Sequence, residues 1–196
     1  PPPALCRAAR RPVRARGADD SGVEHEGQDM ADREATTQER ERDVAVMRRA
    51  LELAALGPYA DRNPRVGAVI LDHDGMVVGE GFHQGAGTPH AEVMALRQAG
   101  EVAREGTAVV TLEPCAHTGL TGSCSVALIE AGVARVVFAQ SDPNPSARGG
   151  RALLEAAGIR TSEGVLAQES TALNGAGTFS IPHGRPRVTG ESEPAG

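Results

Sequence analysis

The stretch Ala108-Val109-Val110-Thr111-Leu112-Glu113-Pro114-Cys115 decides the fold. Its first five residues form a short apolar, β-branched run, the length and composition of a buried strand, and Glu113-Pro114 bounds it. Ser123 to Ala131 then has helical spacing and stops at Gly132. Ala134 to Ala139 reads as a second buried strand. Gly150 to Ala157 reads as another helix, ended by Gly158, and Ile159 to Thr161 as a short strand. Strand and helix alternating at these intervals imply parallel pairing through crossover helices.

Toward the N-terminus the pattern changes. Val66-Gly67-Ala68-Val69-Ile70-Leu71 is a strand, Asp74-Gly75 a hairpin turn, and Met76 to Phe82 the returning strand, which makes the sheet mixed. His90 to Ala99 is a helix closed by Gly100. Ahead of the hairpin, Thr36-Thr37-Gln38-Glu39 has the form of a capping box; Val44, Met47, Leu51 and Ala54 follow at helical spacing, and Gly57-Pro58 stops the helix. The expected fold is α/β, a three-layer α/β/α sandwich around a mixed sheet of about five strands. The expected domains are a disordered extension over 1–35, a compact domain over 36–175, and a loose Gly/Pro/Ser-rich tail over 176–196.

Composition narrows the function classes. The 196 residues carry a net charge of −6 and only four aromatic side chains, one Tyr and three Phe. A broad electropositive nucleic-acid surface with stacking platforms is not expected from that balance. No run of 18 apolar residues is long enough to span a membrane. Three cysteines cannot form a fully paired disulfide framework, and two of them fall at strand-to-helix junctions, so a reducing, cytoplasmic compartment is expected. Pro1 to Arg16 holds five arginines and no acid but lacks the apolar stretch of a secretory signal, and Met30 is a candidate start.

The chemistry-bearing residues sit at those junctions. His90 opens a helix after Gly85-Ala86-Gly87, Cys115 follows a strand, and Cys124 opens the next helix. One imidazole and two thiols are three of the four ligands of a tetrahedral zinc, which leaves the fourth position for water. Helix N-termini favour the thiolate form that zinc binds. Glu92, two residues from His90, is placed to take a proton from that water and deliver it to a leaving group. A structural zinc site would need a fourth protein ligand; His117 lies only two residues from Cys115 and suits a pocket wall better. The pattern H-x-E followed by P-C and a second Cys is a signature of zinc deaminases, here with eight residues between the cysteines where two are usual.

Several further motifs occur in order: Asn63-Pro64-Arg65-Val66-Gly67-Ala68-Val69-Ile70, Gly81-Phe82-His83, His90-Ala91-Glu92, Thr111-Leu112-Glu113-Pro114-Cys115, the long gap to Cys124, and Asp142-Pro143-Asn144-Pro145. Together they resemble the deaminase half of the bifunctional riboflavin-biosynthesis deaminase/reductase family, over about residues 40–175. The resemblance implies a cytidine deaminase-like fold. It implies zinc-dependent removal of the ring amino group of 2,5-diamino-6-ribosylamino-4(3H)-pyrimidinone 5′-phosphate. It further implies His90, Cys115 and Cys124 as zinc ligands and Glu92 as proton shuttle. Asn63, His83, Ala91 and His117 become expected contacts to the small-molecule pyrimidine, with Asp142 and Asn144 on the phosphate side. A homo-oligomer is expected from the resemblance alone.

Two departures bear on the substrate. Leu120 stands where the family's inter-cysteine loop usually carries a cation facing the phosphate, for which Arg148 or Arg151 would have to compensate. Gly184-Arg185-Pro186-Arg187-Val188-Thr189 resembles the junction into the reductase, so the next pathway step is expected to need a separate reductase. Two alternatives stay open at this level: a deaminase of another aminopyrimidine or pterin-like ring, and a catalytically silent partner of that reductase. The intact His, Glu, Cys, Cys set argues against the second.

Overall fold

The computed structural model describes residues 21–59, 61, 63–116, 122–144 and 147–175, with backbone alone for 21–35. Two units partition the chain, Pro1–Gln38 and Glu39–Gly196, and the sheet and its packing lie in the second.

A single sheet organises that unit. Strands β1 (Gly67–Leu71), β2 (Val77–Phe82), β3 (Thr107–Val110), β4 (Arg135–Phe138) and β5 (Arg160–Glu163) lie in the order β2-β1-β3-β4-β5. β1 pairs antiparallel with both β2 and β3, whereas β3–β4 and β4–β5 are parallel. The hairpin turn falls where Asp74-Gly75 places it: Gly75 takes φ +81°, and the Asp72 carboxylate accepts from the N–H groups of Asp74 and Met76.

Alternation along the strands sorts the core into two layers. Ala68, Ile70, Ala108, Val110, Val136 and Phe138 face helices α2 (Ala91–Ala99), α3 (Cys124–Ala131) and α4 (Gly150–Ala156). Val69, Leu71, Val109, Val137 and Ala139 face the other way, onto Met47, Ala50 and Leu53 of α1 (Ser21–Ala55). With so few aromatics, close approach substitutes for bulk. A Cβ on Gly79 or Gly81 of β2 would fall 2.2 Å from the Ala95 carbonyl or 2.3 Å from that of Ala91, so α2 lies directly on the strand. Arg135 of β4, 8% exposed, forks onto both carboxylate oxygens of Asp43 at 2.8 and 2.6 Å and fixes the register of α1 against the sheet.

Two elements differ from expectation. α1 begins at Ser21, so Thr36 and Thr37 of the capping box lie inside a helix. The intervening residues are mostly strong helix formers, and a cap signal yields when the helix continues through it. Within the 1–35 segment, the backbone of residues 21–35 belongs to this helix. A fifth helix, α5 (Ala167–Asn174), also escapes the apolar pattern, since its sequence carries no hydrophobic stripe. The strand expected at Ile159 to Thr161 runs Arg160–Glu163 instead.

Candidate metal centre and pocket

His90 is the residue before α2, with extended backbone (φ −68°, ψ 161°) and no side-chain capping bond, so its imidazole projects away from the helix it opens. Its Nδ1 lies 3.0 Å from Cys124 Sγ and 3.7 Å from Cys115 Sγ. The three donor atoms all fall within 4.8 Å of one another. Cys124 is the first residue of α3, and its N–H points at Cys115 Sγ from 3.4 Å. Both sulfurs are buried, and a network of hydroxyls holds the backbone between them. The Cys115 carbonyl accepts from Ser123 Oγ at 2.9 Å and from Ser125 Oγ at 3.0 Å, and Ser123 Oγ also caps α3 by accepting from the Val126 N–H.

The electrostatics are those of a cation site. The hydrogen bond from the Cys124 thiol holds Cys115 down to about 4, while the same bond raises Cys124. Of the two sulfurs, Cys115 is therefore the more readily ionised. Hydrogen bonding to Cys115 raises His90 above the ordinary histidine range. Glu92, 3% exposed, is pushed up to about 7 by burial. One nitrogen and two sulfurs converging from two helix starts and a strand end match the donor set of zinc, and among the described residues no fourth His, Cys, Asp or Glu joins them.

Beside this centre lies a pocket of about 220 Å³, lined among others by Asn63, His83, His90, Ala91, Glu92, Cys115, Asp142 and Asn144. Every described site residue expected from the sequence except Cys124 lines it, and Cys124 sits behind, wholly buried. His117 and Leu120 lie outside the described residues. On one wall Asn63 Nδ2 is 3.1 Å from His83 Nε2. An amide nitrogen only donates, so this ring nitrogen accepts and His83 carries its proton on Nδ1, toward the Pro89 carbonyl at 3.4 Å. Burial lowers the His83 pKa, consistent with a neutral ring. The arrangement fixes which way the Asn63 amide faces.

Another part of the lining depends on a residue to which the sequence reading gave no role. Glu113, 7% exposed, accepts from the N–H groups of Asp142 (3.3 Å), Gly149 (3.3 Å) and Arg151 (3.1 Å). One carboxylate thus ties the loop bearing Asp142 and Asn144, and the start of α4, to the strand end that carries Cys115. Arg148 Nε closes the loop from its other side on the Asp142 carbonyl at 2.7 Å. Arg151 turns away, paired with Glu155 and Glu163. A charged residue before Pro114-Cys115 was the available signal for Glu113.

Comparison with known proteins agrees with this geometry. Residues 40–140 match the model of the cytidine and deoxycytidylate deaminase zinc-binding region. The chain belongs to that zinc-binding deaminase family. Within the family it is 48% identical over 134 residues to the diaminohydroxyphosphoribosylamino-pyrimidine deaminase of Buchnera aphidicola (strain APS), covering 67% of this chain and 90% of that one. It is 54% identical over 134 residues to the riboflavin biosynthesis protein RibD of Escherichia coli, across 67% of this chain and 36% of the relative. The chain thus spans little more than a third of that relative. A solved Thermotoga maritima structure, described as a diaminohydroxyphosphoribosylaminopyrimidine deaminase/5-amino-6-(5-phosphoribosylamino)uracil reductase, superposes with a TM-score of 0.72 at 40% identity, over 76% of this chain and 43% of its own. The α/β fold built on the mixed five-stranded sheet is thus shared with that solved structure. Among the described residues no helix is long and apolar enough to cross a membrane.

Proposed function

We propose that this chain is a zinc-dependent aminohydrolase that removes the ring amino group of 2,5-diamino-6-ribosylamino-4(3H)-pyrimidinone 5′-phosphate, a step of riboflavin biosynthesis. The observation that carries the reading is the buried Glu92 carboxyl beside the His90, Cys115 and Cys124 donor set, at the edge of a pocket walled by amide, imidazole and carboxylate groups. The similarity to the Buchnera deaminase supports the choice of substrate.

His90, Cys115 and Cys124 would hold the zinc, which when bound supplies Lewis-acid activation of the attacking water. Both sulfurs would hold the metal as thiolates, the form in which cysteine binds zinc. Glu92 takes a proton as the water oxygen bonds to the amino-bearing ring carbon. It returns that proton to the amine nitrogen as the carbon–nitrogen bond breaks, and ammonia leaves. Asn63, with its amide direction set by His83, reads the ring edge; the Ala91 backbone and His117 complete the ring contacts. Asp142 and Asn144 take the ribose-phosphate side. Arg148 is the cation that stays beside that loop, Arg151 being engaged elsewhere, and it stands in for the charge missing at Leu120.

On this reading the protein works in the cytoplasm as a homo-oligomer, with the following reduction left to a reductase. The domain over 36–175 carries the activity. Ammonia release from the phosphorylated pyrimidine by the zinc-loaded protein tests the reading. Turnover of the phosphorylated ring supports it, and preference for the dephosphorylated ring or for another aminopyrimidine overturns the substrate assignment.

A further inference from the structure

Asn174, the last residue of α5, is 3% exposed and meets the chain 109 residues away. Its Oδ1 accepts from the Arg65 N–H at 2.8 Å, and its Nδ2 donates to the Arg65 carbonyl at 3.0 Å. A single amide side chain thus takes both polar groups of one backbone residue, as a neighbouring strand would. The contact is reinforced from both partners. The Arg65 guanidinium donates to the Leu173 carbonyl, and it lies over the Tyr59 ring at 5.0 Å. One turn earlier in α5, Ser170 Oγ donates to the Thr111 carbonyl at 2.6 Å. Thr111 in turn exchanges hydrogen bonds with Gly67, through its N–H at 3.0 Å and its Oγ1 at 3.1 Å. The helix therefore grips the two chain segments that enter the pocket, one leading to Asn63 and the other to Glu113 and Cys115.

Arg65 is joined to Asn63 through Pro64, whose ring fixes one of the few soft torsions between them. Asn63 is held by two other groups: its N–H reaches Asp61 Oδ1 at 3.2 Å, and its amide reaches His83. The sheet itself holds the segment as far as Val66, whose carbonyl accepts from the His83 N–H at 2.9 Å; at Arg65, between that bond and Asn63, the backbone is held by the Asn174 pair.

We propose that Asn174 is a positioning residue for the substrate-recognising amide of Asn63, acting through the Arg65 backbone and touching no substrate itself. The proposal rests on the reading of Asn63 as a pyrimidine contact. It accounts for an element without an apolar stripe being docked by buried polar groups, and for the choice of Asn at its end. An Asp there would still accept from the Arg65 N–H but would set a second oxygen against the Arg65 carbonyl. Ser would reach at most one of the two groups.

The test compares zinc-loaded wild type with Asn174→Asp and Asn174→Ser by ¹⁵N NMR of the His83 ring and the Asn63 side-chain amide, alongside kinetics on the phosphorylated pyrimidine. Expected are an unchanged zinc content, a shifted His83 Nε2 resonance and an averaged Asn63 amide, with kcat/KM reduced roughly 10- to 100-fold. Adding either substitution to Asn63→Ala should cost no further activity, whereas a residue that only anchors the helix would cost the same in both backgrounds. Unchanged His83 and Asn63 signals in whichever variant folds would overturn the proposal, as would additive losses. The spectra are taken without substrate. They can therefore fail while the wild type releases ammonia, and they can hold if the deaminase reading itself fails.

Discussion

The hydroxyl of Ser123 donates to the carbonyl of Cys115 across 2.9 Å, linking the residue before one thiol to the backbone of the other. The same oxygen caps α3. Ser123→Ala removes both ties and leaves the metal donors themselves intact. Groups that orient metal ligands typically contribute about 10–100-fold in affinity, and Ser123→Ala is expected to weaken zinc binding by that order. Competition with a chromophoric chelator measures it. An unchanged dissociation constant would mean that the bonds from Ser125 to the Cys115 carbonyl suffice to hold the two sulfurs in place.

Glu92→Gln keeps the size of the side chain and removes the proton carrier. Ammonia release is expected to fall by about 10²–10⁴-fold with zinc content retained. The same variant isolates a pH effect on folding in the metal-free protein. Glu92 stands at about 7 in the fold against 4.5 when exposed, so between those values the native state holds the extra proton. Its contribution to stability is complete below pH 4.5 and is lost as pH rises toward 7. Relative to wild type, the Glu92→Gln protein should therefore gain on the order of 3 kcal/mol across that window and nothing further above it. Urea unfolding of both proteins at about pH 5 and about pH 8, either side of the upper limit, reads the difference; a constant gap would show that the carboxyl is not desolvated.

How far the chain could be read from its residues depends on which interactions are local. The strands and α2, α3 and α4 announce themselves through apolar runs closed by Gly100, Gly132 and Gly158, and the expected sheet is the one observed. The metal set was legible for the same reason, each ligand falling where a strand hands over to a helix. Glu113 was quoted within its motif but given no role, because its partners are three N–H groups found 29 to 38 residues further on. α5 left no trace in periodicity because Ser170 and Asn174 dock it by hydrogen bonds rather than by an apolar face. The capping box at Thr36 misled because capping describes an end, and residues 21–35 carry the helix past it.

Glu113 gives a prediction that separates loop position from metal binding. Glu113→Gln leaves a single acceptor oxygen for three N–H donors, and Glu113→Ala leaves none. Hydrogen bonds to a charged group contribute about 1.5–3 kcal/mol each, so Glu113→Ala should lose at least that much stability. The Gln variant should fold, keep its zinc, and show a raised KM, because the loop with Asp142 and Asn144 is no longer pinned on that side. Steady-state kinetics with metal analysis checks it. A kcat loss at unchanged KM would place Glu113 in the chemistry instead.

The start of α4 lies so close to the Pro114-Cys115 corner that only a glycine fits at position 150. A Cβ there would fall 1.7 Å from the Pro114 carbonyl oxygen and 2.7 Å from Ser125 Oγ. Backbone cannot yield as a flexible side chain does, so Gly150→Ala must push α4 away from the corner, a distortion that costs about 1–3 kcal/mol or more. Because Pro114 precedes a sulfur donor, the displacement reaches the metal centre, and zinc affinity should fall together with stability. Gly175→Ala is the control, since its Cβ would make only ordinary contacts, the nearest at 3.4 Å. Urea unfolding and chelator competition on the two variants decide the matter. If Gly150→Ala is no less stable than Gly175→Ala, the corner is not packed as described, and Cys115 is held by its own strand rather than by the helix beneath it.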